Sequence, residues 1–193
     1  RAFGVGNKEQ TNKNIRVAYT FSVSLGIILS VIGILITPWL LKIAGAHADY
    51  YGEALTYLRI YLAGIMFTVI YNSGAGIVRA VGDSTSPFII LFITCILNII
   101  LDLLFVAVFK FGIAGAAFAT VFSQFLSVVL ITRTIAKKSS SHCIDFKEMM
   151  NEGKEIVKNV ANIGTAAGMQ SALVGFSNIF VIRYINMFET AAV

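Results

Sequence analysis

The stretch from Pro87 to Phe109 reads PFIILFITCILNIILDLLFVAVF, and it decides the fold class. Its only charged residue is Asp102, and most of the other side chains are apolar. About 20 predominantly apolar residues are enough for an α-helix to cross the hydrocarbon core of a bilayer. We therefore predict a transmembrane helix that carries one carboxylate inside the membrane.

The composition of the whole chain agrees with a membrane location. Of its 193 residues, 57% are hydrophobic and 13% are charged, whereas soluble domains contain roughly 25% charged residues. Apolar runs of spanning length recur along the sequence. They predict an all-α integral membrane fold with helices at about 17–41, 57–78, 87–109 and 112–134, and a fifth helix within 159–193.

Two connectors shape the predicted architecture. The third and fourth spans are almost contiguous, so they should form an antiparallel hairpin. Residues 136–158 are a polar linker, either an interfacial, partly helical connector or a solvated spacer. This linker separates a first group of helices, 1–135, from a later segment, 159–193. Because the chain begins with Arg1, we expect it to be an internal piece of a longer protein whose remaining helices are its partners.

The distribution of positive charge predicts the orientation. Eleven of the fifteen Lys and Arg residues fall on one side of the predicted membrane. The cytoplasmic loops of membrane proteins carry the excess of Lys and Arg. We therefore place residues 1–16 and the linker 136–158 in the cytoplasm, with the protein spanning the cell membrane.

The remaining composition excludes several functions. The basic residues lie between apolar runs and form no continuous patch with interleaved aromatic residues, which argues against a nucleic-acid partner. Cys95 and Cys143 show neither a disulfide framework nor a zinc-binding spacing. We expect no enzyme activity and no cofactor.

Three polar residues in the hairpin predict an ion site. Asn98 and Asp102 are four residues apart, so in a helix they lie on one face, one turn from each other. Asp102 lies nine residues before Phe111 and Thr120 lies nine residues after it. At about 1.5 Å per residue, both are about 13 Å from the hairpin turn. Asp102, Asn98 and Thr120 would offer oxygen ligands to a small hard cation, and the carboxylate alone would suit a proton.

Other polar residues in the spans leave alternatives open. Thr120 is explained equally well by hydrogen bonding between helices, since Ser and Thr often serve this purpose in membranes. In the last span, Gln170, Ser177 and Asn178 fall on one helix face. Such a face lines water, a neighbouring helix or a cavity.

The sequence also contains a specific succession of motifs. In order, these are YLRIYLAG, IVRAVGDSTSPF, NIILDLLFV, FGIAGAAFATVFSQ and IGTAAGMQSAL. Their order and spacing resemble the multidrug and toxic compound extrusion (MATE) family, close to its DinF-like branch. The resemblance covers essentially the whole chain.

The resemblance implies a twelve-helix transporter made of two six-helix bundles. On this basis, 1–135 would hold helices three to six, 136–158 the cytoplasmic linker between the bundles, and 159–193 the first helix of the second bundle. Members of the family export amphipathic, often cationic compounds by alternating access, in exchange for protons or sodium ions. In their first bundle, an aspartate on helix one, an Asn and an Asp on helix five and a Thr on helix six form the ion site. Asn98, Asp102 and Thr120 match the last three.

Three alternative functions remain from the sequence. A related architecture also serves lipid or oligosaccharide flippases. An intramembrane aspartyl protease would use Asp83 and Asp102, which would have to lie close enough to share a proton. A passive structural subunit would leave the carboxylate of Asp102 without a role.

Overall fold

The computed structural model describes most of the chain up to the linker, together with parts of the linker and of the later segment. The described residues are 8–43, 51–139, 144–145, 149–150, 153–162, 164, 165, 168, 169, 173 and 177. They are helical apart from short connectors, and none of them lies in a β-strand.

Four long helices make up the described bundle. They are α1 (Lys8–Ile43), α2 (Tyr51–Ala80), α3 (Thr85–Asp102) and α4 (Gly112–Ser139). A π-helical segment, Leu103–Val108, continues α3. Each of the four, with the π-helical segment counted into the third, is long and apolar enough to cross a membrane. The prediction of an all-α membrane fold is therefore confirmed.

The helices extend beyond the predicted apolar spans. At the carboxyl end of α4, the helix runs to Ser139, so the first residues of the predicted linker are helical. Lys137 and Lys138 lie in its last turn, where positive side chains interact favourably with the carboxyl end of the helix dipole. Residues 154–162 are also helical. Most of the fifth predicted helix lies outside the described residues.

The helices pack in a chain of contacts: α1 on α2, α2 on α4, and α4 on α3. A cluster of buried side chains lies near the end of the bundle that contains the start of α1 and the end of α4. Its members are Tyr19, Ile70, Ala75, Val78, Ile90, Ile131 and Ile135. The distribution of positive charge predicts that this end faces the cytoplasm.

Glycines allow two of these contacts to be close. A Cβ added to Gly64 of α2 would lie 2.5 Å from Cγ2 of Val121 on α4. A Cβ on Gly26 of α1 would lie 3.1 Å from the backbone of Met66 on α2. Small residues at such positions let helix backbones approach in lipid, where van der Waals packing is a main source of association.

Hydrogen bonds between side chains reinforce the packed end. The hydroxyls of Tyr19 on α1 and Thr132 on α4 lie 2.5 Å apart. Ser22 on α1 donates to Ser73 on α2 at 2.6 Å. These bonds join helices that the apolar cluster already brings together.

The linker contacts the start of α1. The backbone N–H of Asp145 donates to the hydroxyl of Thr20 at 3.0 Å. Gly153 is buried, and a Cβ added there would lie 2.8 Å from Cγ1 of Val17. Val17 and Thr20 are themselves fully buried. The described part of the linker is therefore docked on the bundle.

Asp83 organises the connector between α2 and α3. Its Oδ1 accepts hydrogen bonds from the backbone N–H groups of Thr85 and Ser86 at 3.1 and 2.9 Å, and its Oδ2 accepts one from the Ser86 hydroxyl at 2.6 Å. Lys138, on the last turn of α4, lies 3.0 Å from Oδ2. The hydrogen bonds from Ser86, together with Lys138, hold the pKa of Asp83 well below its usual value of 3.8. The carboxylate thus caps α3 and ties it to α4.

We expect Asp83→Ala to lower the melting temperature of the full-length protein in detergent by a few degrees, and Asp83→Asn to lower it less. Asn retains a carbonyl oxygen that can cap the helix but loses the charge that attracts Lys138. Because the pKa of Asp83 is lowered on folding, its stabilisation is present above pH 3.8 and is lost as the pH falls below that value. Equal melting temperatures for the wild type and Asp83→Ala at neutral pH would contradict this role.

Candidate ion-binding site

The carboxylate of Asp102 lies at the end of α3. Its Oδ1 is buried and has no hydrogen-bond partner among the described residues, and the same holds for Nδ2 of Asn98, one turn earlier. Buried polar groups in proteins are nearly always hydrogen-bonded. Two neighbouring exceptions on one helix face therefore mark a place where a ligand, water or a further part of the protein completes the bonding.

The π-helical segment begins directly after Asp102. Its wider turns are visible in the backbone, where Phe109 donates to the carbonyl of Leu104 and Phe111 donates to that of Phe105, both at 2.9 Å. Such segments occur frequently at functional sites. The sequence predicted a spanning helix over 87–109 and gave no indication of this change in helix type. No Pro or Gly lies between residues 98 and 108 to signal the change.

Thr120 lies on the neighbouring helix. Its hydroxyl donates to the carbonyl of Ala116 at 3.1 Å, within α4, and the oxygen lone pairs stay available as acceptors. The hydroxyl of Thr120 therefore donates its hydrogen bond within α4, whereas the alternative interpretation placed this bond between two helices.

Small residues bring α4 close to the end of α3. Ala119 is fully buried. A Cβ added to Gly115 would lie 3.1 Å from Cβ of Phe105 in the π-helical segment. The predicted trio of Asn98, Asp102 and Thr120 is thus carried by two helices in contact.

Sequence reasoning missed two residues of this region. Oγ of Ser123 and Oε1 of Gln124, both on α4, are buried and unpartnered. Together with the atoms of Asn98 and Asp102, they are the four such side-chain atoms in the described part of the chain. The only signal was their place in the motif FATVFSQ, one turn after Thr120. All four atoms therefore belong to the α3–α4 hairpin.

An apolar cavity of about 510 Å³ lies nearer the hairpin turn. Its walls are Phe105, Phe111, Ala114, Phe118 and Phe122. The rings of Phe105 and Phe111 have centroids 6.1 Å apart. This cavity offers aromatic surface and no charged group.

The donor set of the predicted trio carries one formal negative charge. No group of three or more His, Cys, Asp or Glu side chains that could hold a metal occurs among the described residues. Asp102 contributes a carboxylate, Asn98 an amide and Thr120 a hydroxyl. Of the predicted cavity-lining residues, Ser177 is exposed, and Gln170 and Asn178 lie outside the described residues.

Comparison with known proteins identifies the family. The sequence model of the MatE family matches residues 1–104, which is more than half of the chain. The chain belongs to the MATE family. The probable multidrug resistance protein YoeA of Bacillus subtilis (strain 168) is 28% identical to it over 200 residues, covering 100% of this chain and 43% of YoeA.

Two solved MATE structures have the same helix arrangement. One is the inward-facing conformation of a multidrug resistance MATE transporter of the MOP superfamily, with a TM-score of 0.75 and 26% identity, covering 86% of this chain and 38% of that one. The other is an outward-facing conformation, with a TM-score of 0.75 and 27% identity, covering 86% and 37%. The chain thus spans less than half the length of these MATE proteins.

The predicted family is confirmed, while the narrower DinF-like branch stays a prediction. These MATE relatives are transporters and not enzymes. The geometry also contradicts the aspartyl protease alternative. Asp83 and Asp102 lie at opposite ends of α3, more than about 25 Å apart at 1.5 Å per residue, so they cannot share a proton.

Proposed function

We propose that the full-length MATE protein is a cation-coupled antiporter of the cell membrane that exports amphipathic, often cationic compounds. The observation that carries this proposal is the buried, unpartnered Oδ1 of Asp102 inside a membrane-spanning helix. A charged side chain at the centre of a bilayer costs about 2.5–3.5 kcal/mol on insertion scales. Neutralisation of Asp102 by a coupling ion during transport explains why a carboxylate lies inside the membrane despite this cost.

Asp102 accepts a proton or a sodium ion in this proposal, and Asn98 and Thr120 supply neutral ligands. The unpartnered atom of Asn98 is Nδ2, and a half-turn of the amide exchanges it with the carbonyl oxygen. Thr120 donates its proton to Ala116, which leaves its oxygen free to accept. By the family resemblance, an aspartate on helix one is the fourth member of the site.

Coupling requires that the ion binds one access state better than the other, since a ligand with equal affinity for both shifts nothing. The described bundle is equally similar to an inward-facing and an outward-facing MATE structure, with a TM-score of 0.75 to each. This likeness supports a bundle that moves largely as one body while access alternates around it.

The aromatic cavity supports the choice of substrate. The faces of Phe rings attract organic cations through their quadrupoles, and the apolar walls contact the rest of an amphipathic molecule. The relative YoeA is described as a probable multidrug resistance protein, which agrees with such cargo.

The test uses the full-length protein in proteoliposomes with an imposed proton or sodium gradient. We expect one of the two gradients to drive ethidium transport against its concentration, measured by fluorescence, and an ionophore that collapses the gradient to stop it. Ethidium transport that is unaffected by either gradient would overturn the proposed ion coupling. Transbilayer movement of a fluorescent lipid without ethidium transport would support the flippase alternative instead.

A further inference from the structure

The hairpin contains more unpartnered polar atoms than the proposed trio uses. Ser123 and Gln124 have no role in the ion site described above, yet each buries a polar atom without a partner. Ser123 is only 4% exposed. A buried Ser on a helix can satisfy its hydroxyl by bonding to a carbonyl three or four residues earlier. Ser123 makes no such bond in the described structure.

A neighbouring serine provides a direct comparison. Ser127 lies on α4 one turn after Ser123 and is also 4% exposed. Its hydroxyl donates to the backbone carbonyl of Gln124 at 2.7 Å. Two equally buried serines on one helix therefore differ in their hydrogen bonding, because only the hydroxyl of Ser123 lacks a partner among the described residues.

The distance from the hairpin turn divides the unpartnered polar atoms and Thr120 into two layers. Asn98 lies thirteen residues before Phe111 and Gln124 lies thirteen after it, so both are about 20 Å from the turn, one helical turn beyond Asp102 and Thr120. The wider turns of the π-helical segment rise less per residue, which moves Asp102 and Asn98 alike slightly toward the turn and brings Asn98 toward the level of Ser123. Asn98, Ser123 and Gln124 form what we call the second layer.

The second layer lies on one particular side of Asp102. It is nearer the start of α3 and the end of α4, where Lys137 and Lys138 are found. The excess of positive charge assigns that end to the cytoplasm. A cation that travels between Asp102 and the cytoplasm along the hairpin passes this layer.

We propose that Asn98, Ser123 and Gln124 relay the coupling cation between Asp102 and the cytoplasm through bound water. Amide and hydroxyl groups both donate and accept hydrogen bonds, so they hold water or a partly hydrated cation. They carry no charge, so the ion is not trapped there. This relay rests on the proposed antiport function and names the route by which its ion leaves.

The test compares Ser123→Ala with Ser127→Ala in the full-length protein in proteoliposomes. Efflux of ethidium is measured while the concentration of the driving cation is varied. We expect Ser123→Ala to raise the cation concentration for half-maximal efflux about fivefold, the size expected for one lost hydrogen bond, with an unchanged KM for ethidium. Ser127→Ala, which removes a bond within the helix, should leave the cation dependence as in the wild type.

A second variant, Gln124→Met, keeps the length of the side chain and removes its polar atoms. We expect it to shift the cation dependence in the same direction as Ser123→Ala. The relay is overturned if the wild type is ion-driven but neither Ser123→Ala nor Gln124→Met changes its cation dependence, or if Ser127→Ala changes it equally. A wild type without ion-driven efflux would overturn the antiport function itself, and the relay with it.

Discussion

Asp102→Asn in the full-length protein is expected to abolish ion-driven efflux and, at the same time, to raise the melting temperature. Asn has the same shape but cannot be neutralised by a cation, so the ion no longer favours one access state. Coupling free energies of about 1–3 kcal/mol correspond to roughly 5- to 150-fold effects. We expect the loss of ion-driven efflux to lie at the upper end of this range. The higher stability follows because an unpartnered carboxylate is costly in a membrane.

The measurement is gradient-driven ethidium efflux together with thermal unfolding in detergent. Asp83→Asn is a matched control, since it makes the same exchange at the other end of α3. There the carboxylate is paired with Lys138 at 3.0 Å and lies far from the ion site, so efflux should persist and stability should fall. Undiminished ion-driven efflux in Asp102→Asn, with normal expression, would remove Asp102 from the mechanism.

Gly64→Ala is expected to destabilise the bundle, although Ala normally favours a helix by about 0.5–1 kcal/mol over Gly. The added Cβ would lie 2.5 Å from Cγ2 and 3.3 Å from Cβ of Val121. The short, branched Val121 side chain has little freedom to move aside, so α2 and α4 must separate. Overpacking of this kind costs typically about 1–3 kcal/mol. Thermal unfolding of the purified full-length protein measures the effect.

Two further variants make this test specific. Gly76 lies on the same helix, and no atom of the described residues lies within 4 Å of an added Cβ, so Gly76→Ala should be neutral or stabilising. The double variant Gly64→Ala/Val121→Ala removes the opposing methyl groups and should recover most of the lost stability. If Gly64→Ala melted at the same temperature as Gly76→Ala, the close approach of α2 and α4 at this point would be wrong.

Sequence patterns predicted the helices well because membrane spans are defined by the length of apolar runs. Spacing also placed Asn98, Asp102 and Thr120 near one another, since a helical repeat and a short hairpin turn fix relative depth, and their role as an ion site stays a prediction. The π-helical segment at Leu103–Val108 could not be predicted in this way, because its Phe105 packs against Gly115 of the next helix, a contact that spacing along the sequence does not describe.

Contacts between residues on different helices could not be predicted from the sequence either. Lys138 and Asp83 are distant in sequence, and their ion pair exists only because α3 and α4 are packed antiparallel. The same packing buries Oγ of Ser123 and Oε1 of Gln124 without partners among the described residues. No periodicity in the sequence indicates this. Spacing fixes which helix face a residue occupies, whereas the neighbouring helix decides whether its polar atoms are satisfied.

The docking of the linker on α1 affects how the rest of the protein is attached. Between Ser139 and residue 159, a free chain would act as a flexible tether whose reach grows with the number of residues in it. The hydrogen bond from Asp145 to Thr20 and the contact of Gly153 with Val17 hold part of that length against the bundle. The effective tether is therefore shorter than the sequence implies, because the helical residues 154–162 follow directly on a residue that contacts α1.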